Sequence, residues 1–555
     1  MSPIALYLLI ALGPLAAVLA LWQVLTGPRL VSKLMLRYLM KRRIAWVSLV
    51  AVMLCTAMVL IVISVMGGWL RMFRETNHDL IGDLIVYRQS LDGFSGYEQM
   101  MEGIREIPEV KAVTPTIHTW GFAEIGGSWD ASQIRVPVEV VGVDLKQIGE
   151  VNGFVRSLHL QPDVLLGWAK QLEDDAASAK ARAATRASSG DYLQQAEASG
   201  MEADAQDELA MAQSLRAKAA SFPSWAKPLP SAVYADQGFK GTPTNWGGII
   251  VGSGVIGLRG NDVREDFIYR ARVKLTALKA SDMDVSDPLN AKTVTNNYWL
   301  IDDSHTNVYQ ADENRVYLPF DELQKQLEMD QQSATDATTG KPITIPARCT
   351  ELLISVKPGS DLEAVKSKVS DVVNDVLQKN NLAYMDAGEL KVETWYEHQR
   401  DFLNAVEHEE SLLVILFGII SIVAIFLIFC IFFMIVMEKT RDIGIIKSLG
   451  ATGANVAAIF LGYGLSIGIV GGGMGLLLAY LVVHNINELH AWMGRHLGIE
   501  IWNAKTYLFD TIPNTMEQRD VVIIVSVAIL SSVLGALVPA IRAARMNPVD
   551  ALRWE

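Results

Sequence analysis

The sequence predicts an α-helical membrane domain with four core transmembrane helices plus one extra N-terminal helix, and a large α+β extracytoplasmic domain. Of the 555 residues, 50% are hydrophobic and 20% are charged, and the apolar ones concentrate in long runs. A helix of roughly 20 residues is long enough to cross a bilayer. Residues 71–410 contain no such run and can bury a large core of their own. The apolar runs are Ile4–Leu25, Ile44–Leu70, Leu412–Met437, Ile459–Val483 and Val521–Ala543.

Basic residues determine the predicted orientation. The segment 26–43 carries six Lys or Arg residues and no acid, and such an excess marks the cytoplasmic side of a membrane protein. We therefore expect segments 26–43, 438–458 and 544–555 inside, and residues 71–410 and the loop 484–520 outside. Because the cytoplasmic segments are net positive, the exported part carries more negative charge than the net −13 of the whole chain, and this acidity indicates no nucleic-acid partner. The predicted transmembrane helices are 1–25, 44–70, 411–437, 459–483 and 521–543.

The first run is predicted to be an uncleaved span with its N-terminus outside. A secretory signal peptide has a positive region before a short apolar core. Residues 1–25 contain no Lys or Arg, and the basic cluster follows them. A misread start site or a removed signal peptide is the alternative.

Strand and helix patterns predict the architecture of residues 71–410. Two groups of strand–helix–strand units indicate an α+β domain with two lobes. The predicted strands are Leu84–Tyr87, Val110–Ile125 (read as more than one strand), Val136–Val143, Arg315–Pro319, Glu351–Val356 and Leu390–Thr394. The predicted helices are Tyr97–Ile107, Asp321–Met329 and Asp361–Gln378, the last capped by Ser360 or Asp361.

An Ala-rich insertion, residues 162–220, lies between the two groups. It is highly charged, has few β-branched residues, and contains Gly190 and Gly200, which are expected to divide it into two or three helices. One interpretation is a projecting helical arm that binds a partner. The other is a solvated insertion with no role of its own, which the thin apolar stripe favours.

The start of the third core segment suggests a mechanical element. Residues 394–417 contain no Pro or Gly, and Trp395, Phe402, Leu403 and Val406 fall on one helical face. We expect the span to continue outward as a stalk, because a continuous helix transmits a displacement that a flexible linker absorbs. An ordinary amphipathic helix beside the membrane is the alternative.

Patterns typical of enzymes, metal sites and ion carriers are missing. The sequence contains no G-x-x-x-x-G-K-[ST] string, no H-E-x-x-H string and no zinc-type cysteine spacing. Cys349 is the one cysteine in residues 71–410, so no disulfide is expected there. The spans have almost no ionisable residues, which ion-coupled carriers need. We therefore expect no catalytic residue, metal or cofactor in this chain, and a partner that supplies the energy.

Two Gly-rich strings have structural interpretations. GGGMG (Gly471–Gly475) lies inside a span, where small residues allow helices to pack closely. GGIIVGSGVIG (Gly247–Gly257) lacks the Lys of a phosphate loop and is predicted to form a strand and a turn.

The stretch Glu438–Thr452, EKTRDIGIIKSLGAT, lies between two spans and predicts a coupling helix. It has no Pro, and Ile443, Ile446 and Leu449 recur at helical spacing. Such a helix can contact a soluble partner and pass its motion to the spans, and Gly450 is expected to end it in a left-handed conformation. The residues expected to contact the partner are Glu438, Lys439, Arg441, Asp442, Ile443, Lys447 and Gly450.

This string resembles the cytoplasmic signature of the FtsX-like (type VII) ABC transporter permeases. Within that family the chain resembles the lipoprotein-releasing, Lol-type permease subunits. The extra N-terminal span and the Ala-rich insertion depart from the family layout. The other strings that carry the resemblance are LRYLMK (Leu36–Lys41), ISVMGGWLRMF (Ile63–Phe73), VETW (Val392–Trp395) and AARMNPVDALRWE (Ala543–Glu555).

The resemblance implies a non-catalytic permease subunit in the cell inner membrane. It would pair with a second permease subunit, as a homo- or heterodimer, and bind two copies of an ABC ATP-binding subunit that holds ATP and Mg. In Lol-type members, lipoprotein acyl chains enter a cavity between the permease subunits, and nucleotide-driven closure passes them to a periplasmic carrier.

Flexible Met and flat Phe side chains suit an adaptable acyl site, although any apolar side chain can also face membrane lipids. The candidates for lining the acyl cavity are Met53, Met58, Ile61, Ile63, Met66, Phe417, Ile420, Phe426 and Phe432. The last span, Val521–Ala543, is expected to face lipid or its own subunit.

Two other functions stay open. The first is an FtsX-like signalling scaffold that activates an exported cell-wall hydrolase. The second is a MacB-type efflux mechanotransmitter, a resemblance that usually brings a fused ATPase domain. The large exported domain and the ISVMGGWLRMF and VETW strings favour lipoprotein release.

Overall fold

The structure, a computed structural model, describes residues 43–88, 90, 92–126, 134–188, 191–226, 246–255, 272–279, 292–306, 308–335, 342–379, 390–498 and 512–552. The helices are α1 (Arg43–Ile81), α2 (Tyr97–Arg105), α3 (Leu145–Val151), α4 (Pro162–Ala187), α5 (Tyr192–Ala220), α6 (Tyr309–Asn314), α7 (Phe320–Gln326), α8 (Leu362–Lys379), α9 (Trp395–His398), α10 (Arg400–Glu438), α11 (Thr440–Ser448), α12 (Gly453–His484), α13 (Ile486–Leu497), α14 (Gln518–Arg545) and α15 (Pro548–Leu552).

The strands are β1 (Leu84–Arg88), β2 (Phe94–Ser95), β3 (Val110–Gly126), β4 (Ile134–Val143), β5 (Gly247–Gly252), β6 (Arg272–Leu278), β7 (Thr293–Ser304), β8 (Arg315–Pro319), β9 (Gln332–Thr335), β10 (Pro342–Ile345), β11 (Arg348–Cys349), β12 (Glu351–Val356) and β13 (Leu390–Thr394). The chain forms two compact units. The helical unit holds the described residues up to Met72 and from Phe402 onward, and the sheet unit holds those within Phe73–Asp401.

Four helices of the described residues are long and apolar enough to cross a membrane: Trp46–Ile81, Ile415–Glu438, Gly453–His484 and Gln518–Arg545. They correspond to the four predicted core spans. Each complete helix (α1, α10, α12 and α14) is longer than its apolar run, because the run marks only the part of the helix that suits a membrane. The predicted N-terminal span and the basic segment up to residue 42 lie outside the described residues.

Glycines bring α12 close to its neighbours on two sides. A Cβ placed on Gly475 would lie 2.7 Å from the backbone oxygen of Met53 in α1, and one on Gly464 would lie 2.6 Å from Cβ of Ala536 in α14. These approaches leave no room for a side chain, so the prediction of close packing at GGGMG is confirmed. At Gly473, by contrast, nothing lies within 4 Å of the added Cβ.

In the sheet unit, nine strands join in the order β13-β1-β12-β3-β4-β8-β5-β7-β6. The first half of β3 pairs with β12, and its second half pairs with β4 on one edge and β6 on the other. The β3–β6 pairing closes a ring of six strands, β3-β4-β8-β5-β7-β6.

Two expectations for this unit are therefore wrong. Val110–Ile125 does not form several strands, because β3 is a single strand of 17 residues. The two strand groups do not form separate lobes, because strands of the first group pair with strands of the second: β1 and β3 pair with β12, and β4 pairs with β8. Gly121 lies where the ring closes, and a Cβ there would sit 2.4 Å from the backbone oxygen of Thr276 in β6. The missing side chain allows β6 to pair at that point.

A partly buried ionic cluster lies where the pairing partner of β3 changes from β12 to β4. His118 Nδ1 lies 2.7 Å from Glu139 Oε1 of β4, and its Nε2 lies 3.2 Å from Glu351 Oε2 of β12. Arg315 of β8 donates to Glu139 at 2.7 Å. Burial by itself lowers the pKa of His118, but the carboxylates of Glu351 and Glu139 outweigh it and raise the pKa above its usual value.

The pKa of Glu139 shifts in the opposite direction. Burial raises it, but the charges and hydrogen bonds of Arg315 and His118 hold the pKa of Glu139 far below its ordinary value. These ion pairs thus join four neighbouring strands, β12, β3, β4 and β8, and each charged group shifts the pKa of its neighbours.

The Ala-rich insertion forms a helical hairpin of α4 and α5. Its seam is a set of buried alanines at seven-residue intervals: Ala169, Ala176 and Ala183 on α4, and Ala198, Ala205 and Ala212 on α5. Arg216 donates to both carboxylate oxygens of Glu173 across the pair, at 2.7 and 2.9 Å. α4 ends at Ala187 and α5 begins at Tyr192, while Gly190 lies outside the described residues and Gly200 stays helical inside α5.

The base of the hairpin is anchored in the sheet unit. Leu165 and Leu215 belong to its main core. Lys218 is 3% exposed and donates from Nζ to the backbone oxygen of Ile301 at 3.2 Å. Burial lowers the pKa of Lys218 and raises that of the neighbouring Asp302. The anchored base shows that the insertion is an ordered part of this unit.

The other predicted strands and helices of this unit are present within a few residues of their expected limits. Asp361 caps α8 by accepting from the amide of Glu363 at 3.1 Å. Gly247–Gly252 is strand β5, followed by a turn at residues 253–255; residues 256 and 257 lie outside the described residues.

The prediction of a continuous stalk helix is wrong for its first residues. Thr394 ends β13 and forms a capping box with Glu397 that begins the one-turn helix α9. Gln399 then leaves the helical conformation, with φ −92° and ψ 6°. The uninterrupted helix therefore begins at Arg400 and continues to Glu438.

Candidate functional site

The predicted coupling helix is α11, and both of its ends are defined by local chemistry. It begins after Lys439 and ends before Gly450, whose φ of 98° is left-handed. The amide of Ala451 donates to the oxygen of Ile446 at 3.2 Å, which is the hydrogen bond that closes a helix at a left-handed glycine. The predicted left-handed end of the helix at Gly450 is confirmed.

One face of α11 is buried in the helical unit. Thr440 and Ile443 are each 4% exposed. Ile443 packs in a cluster with Val436, Val456 and Ala540, which lie on α10, α12 and α14. Ile443 therefore connects α11 to all three helices rather than facing outward.

Lys447 is also engaged within the chain. Its Nζ donates to the backbone oxygens of Ala544 and Met546 at 2.9 and 2.5 Å, at the end of α14. Lys439 pairs with Asp442 at the start of α11. These contacts hold α11 against the last span and leave fewer charges on its outer side than the sequence predicted.

The outer side of α11 is partly apolar. Arg441, Ile445 and Leu449 are exposed, the last two by 45% and 84%. Their four-residue spacing places them along one side of the helix, and Glu438 is exposed just before it. The sequence reasoning named Glu438 and Arg441 as contacts but missed Ile445. Ile445 lies four residues after Arg441 and therefore on the same side of the helix, and an isoleucine at such a position could have been predicted as a partner contact.

A cavity of about 430 Å³ lies between α1, α10 and α14. Its lining is mainly apolar, with Ile63 and Met66 on α1, Phe417 on α10 and Ile524 on α14. Three of the nine candidates, Ile63, Met66 and Phe417, line this cavity, which lies within one chain, whereas the predicted acyl cavity lies between two permease subunits.

The other six candidates are not in its lining. Met58 and Phe426 are exposed by 54% and 64% on the outside of the helical unit. Phe432 is fully buried and packs edge-to-face on Tyr463, 5.3 Å between ring centres. Ile61 packs against the cluster around Leu60. Met53 and Ile420 are half-buried at other positions of α1 and α10.

The last span faces its own chain at this cavity. Val521–Ala543 was expected to face lipid or its own subunit, and α14 supplies one wall beside α1 and α10. Its lining residues are Asp520, Ile523, Ile524, Val527, Ala528, Ser531 and Ser532. The span is apolar on every side, so its sequence does not reveal which side meets a cavity.

Comparison with known proteins shows which proteins the region around α11 is similar to. Residues 414–548 match the FtsX-like permease C-terminal family. The lipoprotein-releasing system transmembrane protein LolC of Neisseria meningitidis is 31% identical over 164 residues, which cover 30% of this chain and 40% of that protein. The corresponding protein LolE of Haemophilus influenzae is 30% identical over 119 residues, 21% of this chain and 29% of that protein.

The macrolide export ATP-binding/permease protein MacB of Hahella chejuensis is 29% identical over 161 residues, 28% of this chain and 21% of that protein. The chain thus spans less than half the length of each of these curated relatives. The family match contains α11, α12 and most of α10 and α14, so residues 414–548 are similar to the FtsX-like permease C-terminal domain.

Proposed function

We propose that this chain is the permease subunit of an ABC transporter that extracts a lipidated substrate from the inner membrane, as in lipoprotein release. ATP would be hydrolysed in two separate ATP-binding subunits, with a second permease subunit completing the membrane part. The sheet unit would lie in the periplasm, where a carrier receives the substrate; the basic segment 26–43 supports this orientation.

The observation that carries the proposal is that α10 and α14 line the cavity and are also the helices that adjoin α11. α14 forms a wall of the apolar cavity, and its last residues accept hydrogen bonds from Lys447 of α11. α10 contributes Phe417 to the same cavity and ends at Glu438, directly before α11.

These contacts support a route for mechanical coupling. An ATP-binding subunit would bind the exposed side of α11, at Glu438, Arg441, Ile445 and Leu449. Because Ile443 and Lys447 fix α11 to the helical unit, its displacement would shift the ends of α10 and α14. Movement of these walls would narrow the cavity and release acyl chains from it.

The test is purification of the complete complex in nanodiscs, with mass spectrometry of bound lipidated proteins. We expect lipidated protein with the wild type, and its loss from Ile63→Glu and Phe417→Glu, which place a charge in the cavity. One charge at a helix centre costs about 2.5–3.5 kcal/mol on insertion scales, which these apolar spans can tolerate, so both variants should still bind the ATP-binding subunit.

Val423→Glu is the matched control, because Val423 lies on α10, is exposed, and belongs neither to the cavity lining nor to the predicted acyl-site residues. It should keep the lipidated protein. A wild-type complex without lipidated protein, or equal loss from all three variants, would contradict the proposal.

A signalling scaffold is the second candidate, and the α4–α5 hairpin favours it as an arm for an exported enzyme. In that case the same purification should yield a cell-wall hydrolase and no lipidated protein.

A further inference from the structure

The helix α13, between the spans α12 and α14, leaves the end of α12 almost at once. The apolar run of α12 reaches Val483, and α13 begins three residues later, at Ile486. Asn485 is the residue between the two helices, with φ −108° and ψ 20°, and its side chain donates to the oxygen of Leu481 at 2.8 Å. Because three residues extend at most about 11 Å, α13 starts close to the depth at which the apolar span ends.

One side of α13 is held by the chain that precedes α14. The side chain of Asn487 accepts from the amide of Ile512 at 2.7 Å and donates to the oxygen of the same residue at 3.3 Å. This protein-facing side of the helix consists of half-buried residues: Ile486, Asn487, His490, Met493 and Gly494. α13 is therefore fixed to the helical unit, and its remaining sides face outward.

A second side of α13 is apolar, aromatic and exposed. Leu489 and Trp492 are 40% and 48% exposed, and His496 stacks on Trp492 with 5.2 Å between ring centres. Their spacing of three and four residues places these side chains along one strip of the helix. Glu488 and Arg495 are exposed on the neighbouring side, which is polar. α13 thus has a protein-facing side, an exposed apolar strip and a polar side.

The exposed strip lies where the apolar surface of α12 ends. Leu477 and Leu481 of α12 are exposed by 56% and 51%, so that surface extends to the last turn before α13. Tyr480 stacks on His484 in the same region, with 5.6 Å between ring centres. Trp and Tyr are enriched at the headgroup level of membranes, and helices with an apolar strip beside a polar side lie in that layer. Position and composition of the strip therefore both fit a phospholipid surface.

We propose that α13 binds the phospholipid surface. Leu489 and Trp492 enter the headgroup layer, and Glu488 and Arg495 face water. Because Asn487 fixes α13 to the chain just before α14, this contact sets the depth of the adjoining ends of α12 and α14 in the membrane. The contact is independent of which substrate is transported.

Photo-crosslinking of the full chain tests this contact. The photoreactive amino acid p-benzoyl-phenylalanine replaces Leu489, Trp492 or Ala491, one position at a time. Each variant is reconstituted in nanodiscs of equal amounts of phosphatidylethanolamine and phosphatidylglycerol, illuminated, and analysed by mass spectrometry. Positions 489 and 492 should form phospholipid adducts. Ala491 is the matched control, because it is exposed one turn from Arg495 on the polar side, and its adducts should be lost.

Amide exchange in the same nanodiscs gives a readout that needs no photoreactive group. Exchange in Ile486–Leu497 should become about tenfold faster in Trp492→Glu, because a charge in the strip weakens the lipid contact and leaves α13 held by one side only. Ala491→Glu adds the same charge on the polar side and should leave the exchange unaltered.

Three results would overturn the phospholipid contact. The first is crosslinking of position 492 to a protein segment in place of phospholipid, which would assign the strip to a protein interface. The second is equal lipid labelling at all three positions, or none at any of them. The third is exchange that does not respond to Trp492→Glu. Each would leave the lipidated substrate standing, because that is tested by the protein that copurifies with the complex.

Discussion

The ammonium group of Lys447 donates a hydrogen bond of 2.9 Å to the backbone oxygen of Ala544. A second bond reaches the oxygen of Met546, just beyond the end of α14. The last carbonyls of a helix lack partners within the helix and carry partial negative charge. A lysine on α11 thus satisfies the end of a span that lines the cavity, and this contact joins two parts of the chain that the sequence presents as separate motifs.

Replacing Lys447 by methionine should loosen α11. Hydrogen bonds to charged groups contribute about 1.5–3 kcal/mol, and the lower value applies to this half-buried side chain. Amide exchange in Thr440–Ser448, measured by mass spectrometry, should become roughly tenfold faster. Arg441→Met, an exposed change on the same helix, should leave exchange unaltered. Unchanged exchange in both variants would show that Ile443 alone holds the helix.

Charge changes on the outer side of α11 should disrupt the proposed binding of the ATP-binding subunit. Arg441→Glu reverses a charge and should uncouple ATP hydrolysis from transport without unfolding the spans. Leu449→Asp places a charge on a side chain that is 84% exposed, and should reduce copurification of the ATP-binding subunit at least tenfold if Leu449 is buried on binding. Full coupled activity in both variants would move the partner's binding site elsewhere.

Two glycines two residues apart on α12 should respond very differently to alanine. Gly475→Ala places a methyl group 2.7 Å from the backbone oxygen of Met53, whereas Gly473→Ala meets nothing within 4 Å. Overpacking of this kind costs about 1–3 kcal/mol. The thermal unfolding temperature of the detergent-solubilised protein should fall for Gly475→Ala and not for Gly473→Ala. Similar behaviour of the two variants would contradict the close contact of α12 with α1.

The cluster around His118 should make stability depend on pH. The folded-state pKa of His118 is raised, so its contribution is complete below its unfolded pKa of about 6.5. The contribution is lost as pH rises through the higher folded-state value. The difference in unfolding temperature between the wild type and His118→Gln should therefore be largest near pH 6 and shrink toward pH 9. A difference that stays constant with pH would mean that His118 acts through packing alone.

Features set by local chemistry were predictable from the sequence. Gly450 ends α11 because a left-handed residue is needed there, and GGGMG packs closely because glycine has no side chain. Phe417 and Phe432 could not be distinguished, since both lie in one apolar helix and only the neighbouring helices decide that the first lines the cavity and the second is buried on Tyr463. Asp520 was assigned to the loop 484–520. Its position in the first turn of α14 depends on where a helix starts, which apolar runs locate poorly.

β3 shows the same limit for strands. Its residues predict strand structure, but its single continuous course depends on pairing with β12 in its first half and with β6 in its second half, and both partners lie far away in the chain. Only the three-dimensional pairing reveals that one strand connects both parts of the sheet.

The alanine seam of the hairpin has a mechanical consequence. At 1.5 Å per residue, the 26 residues of α4 extend about 39 Å, and the close approach of α5 stiffens this length. Such a pair, fixed at its base, acts as a lever: a tilt of about 10° at Lys218 and Asp302 moves the tip by about 7 Å. The tip carries Tyr192 and Leu193, exposed by 82% and 71%. A small rotation of the hairpin base beside β7 would thus produce a larger displacement of the tip, and a probe attached at Tyr192 would measure that displacement.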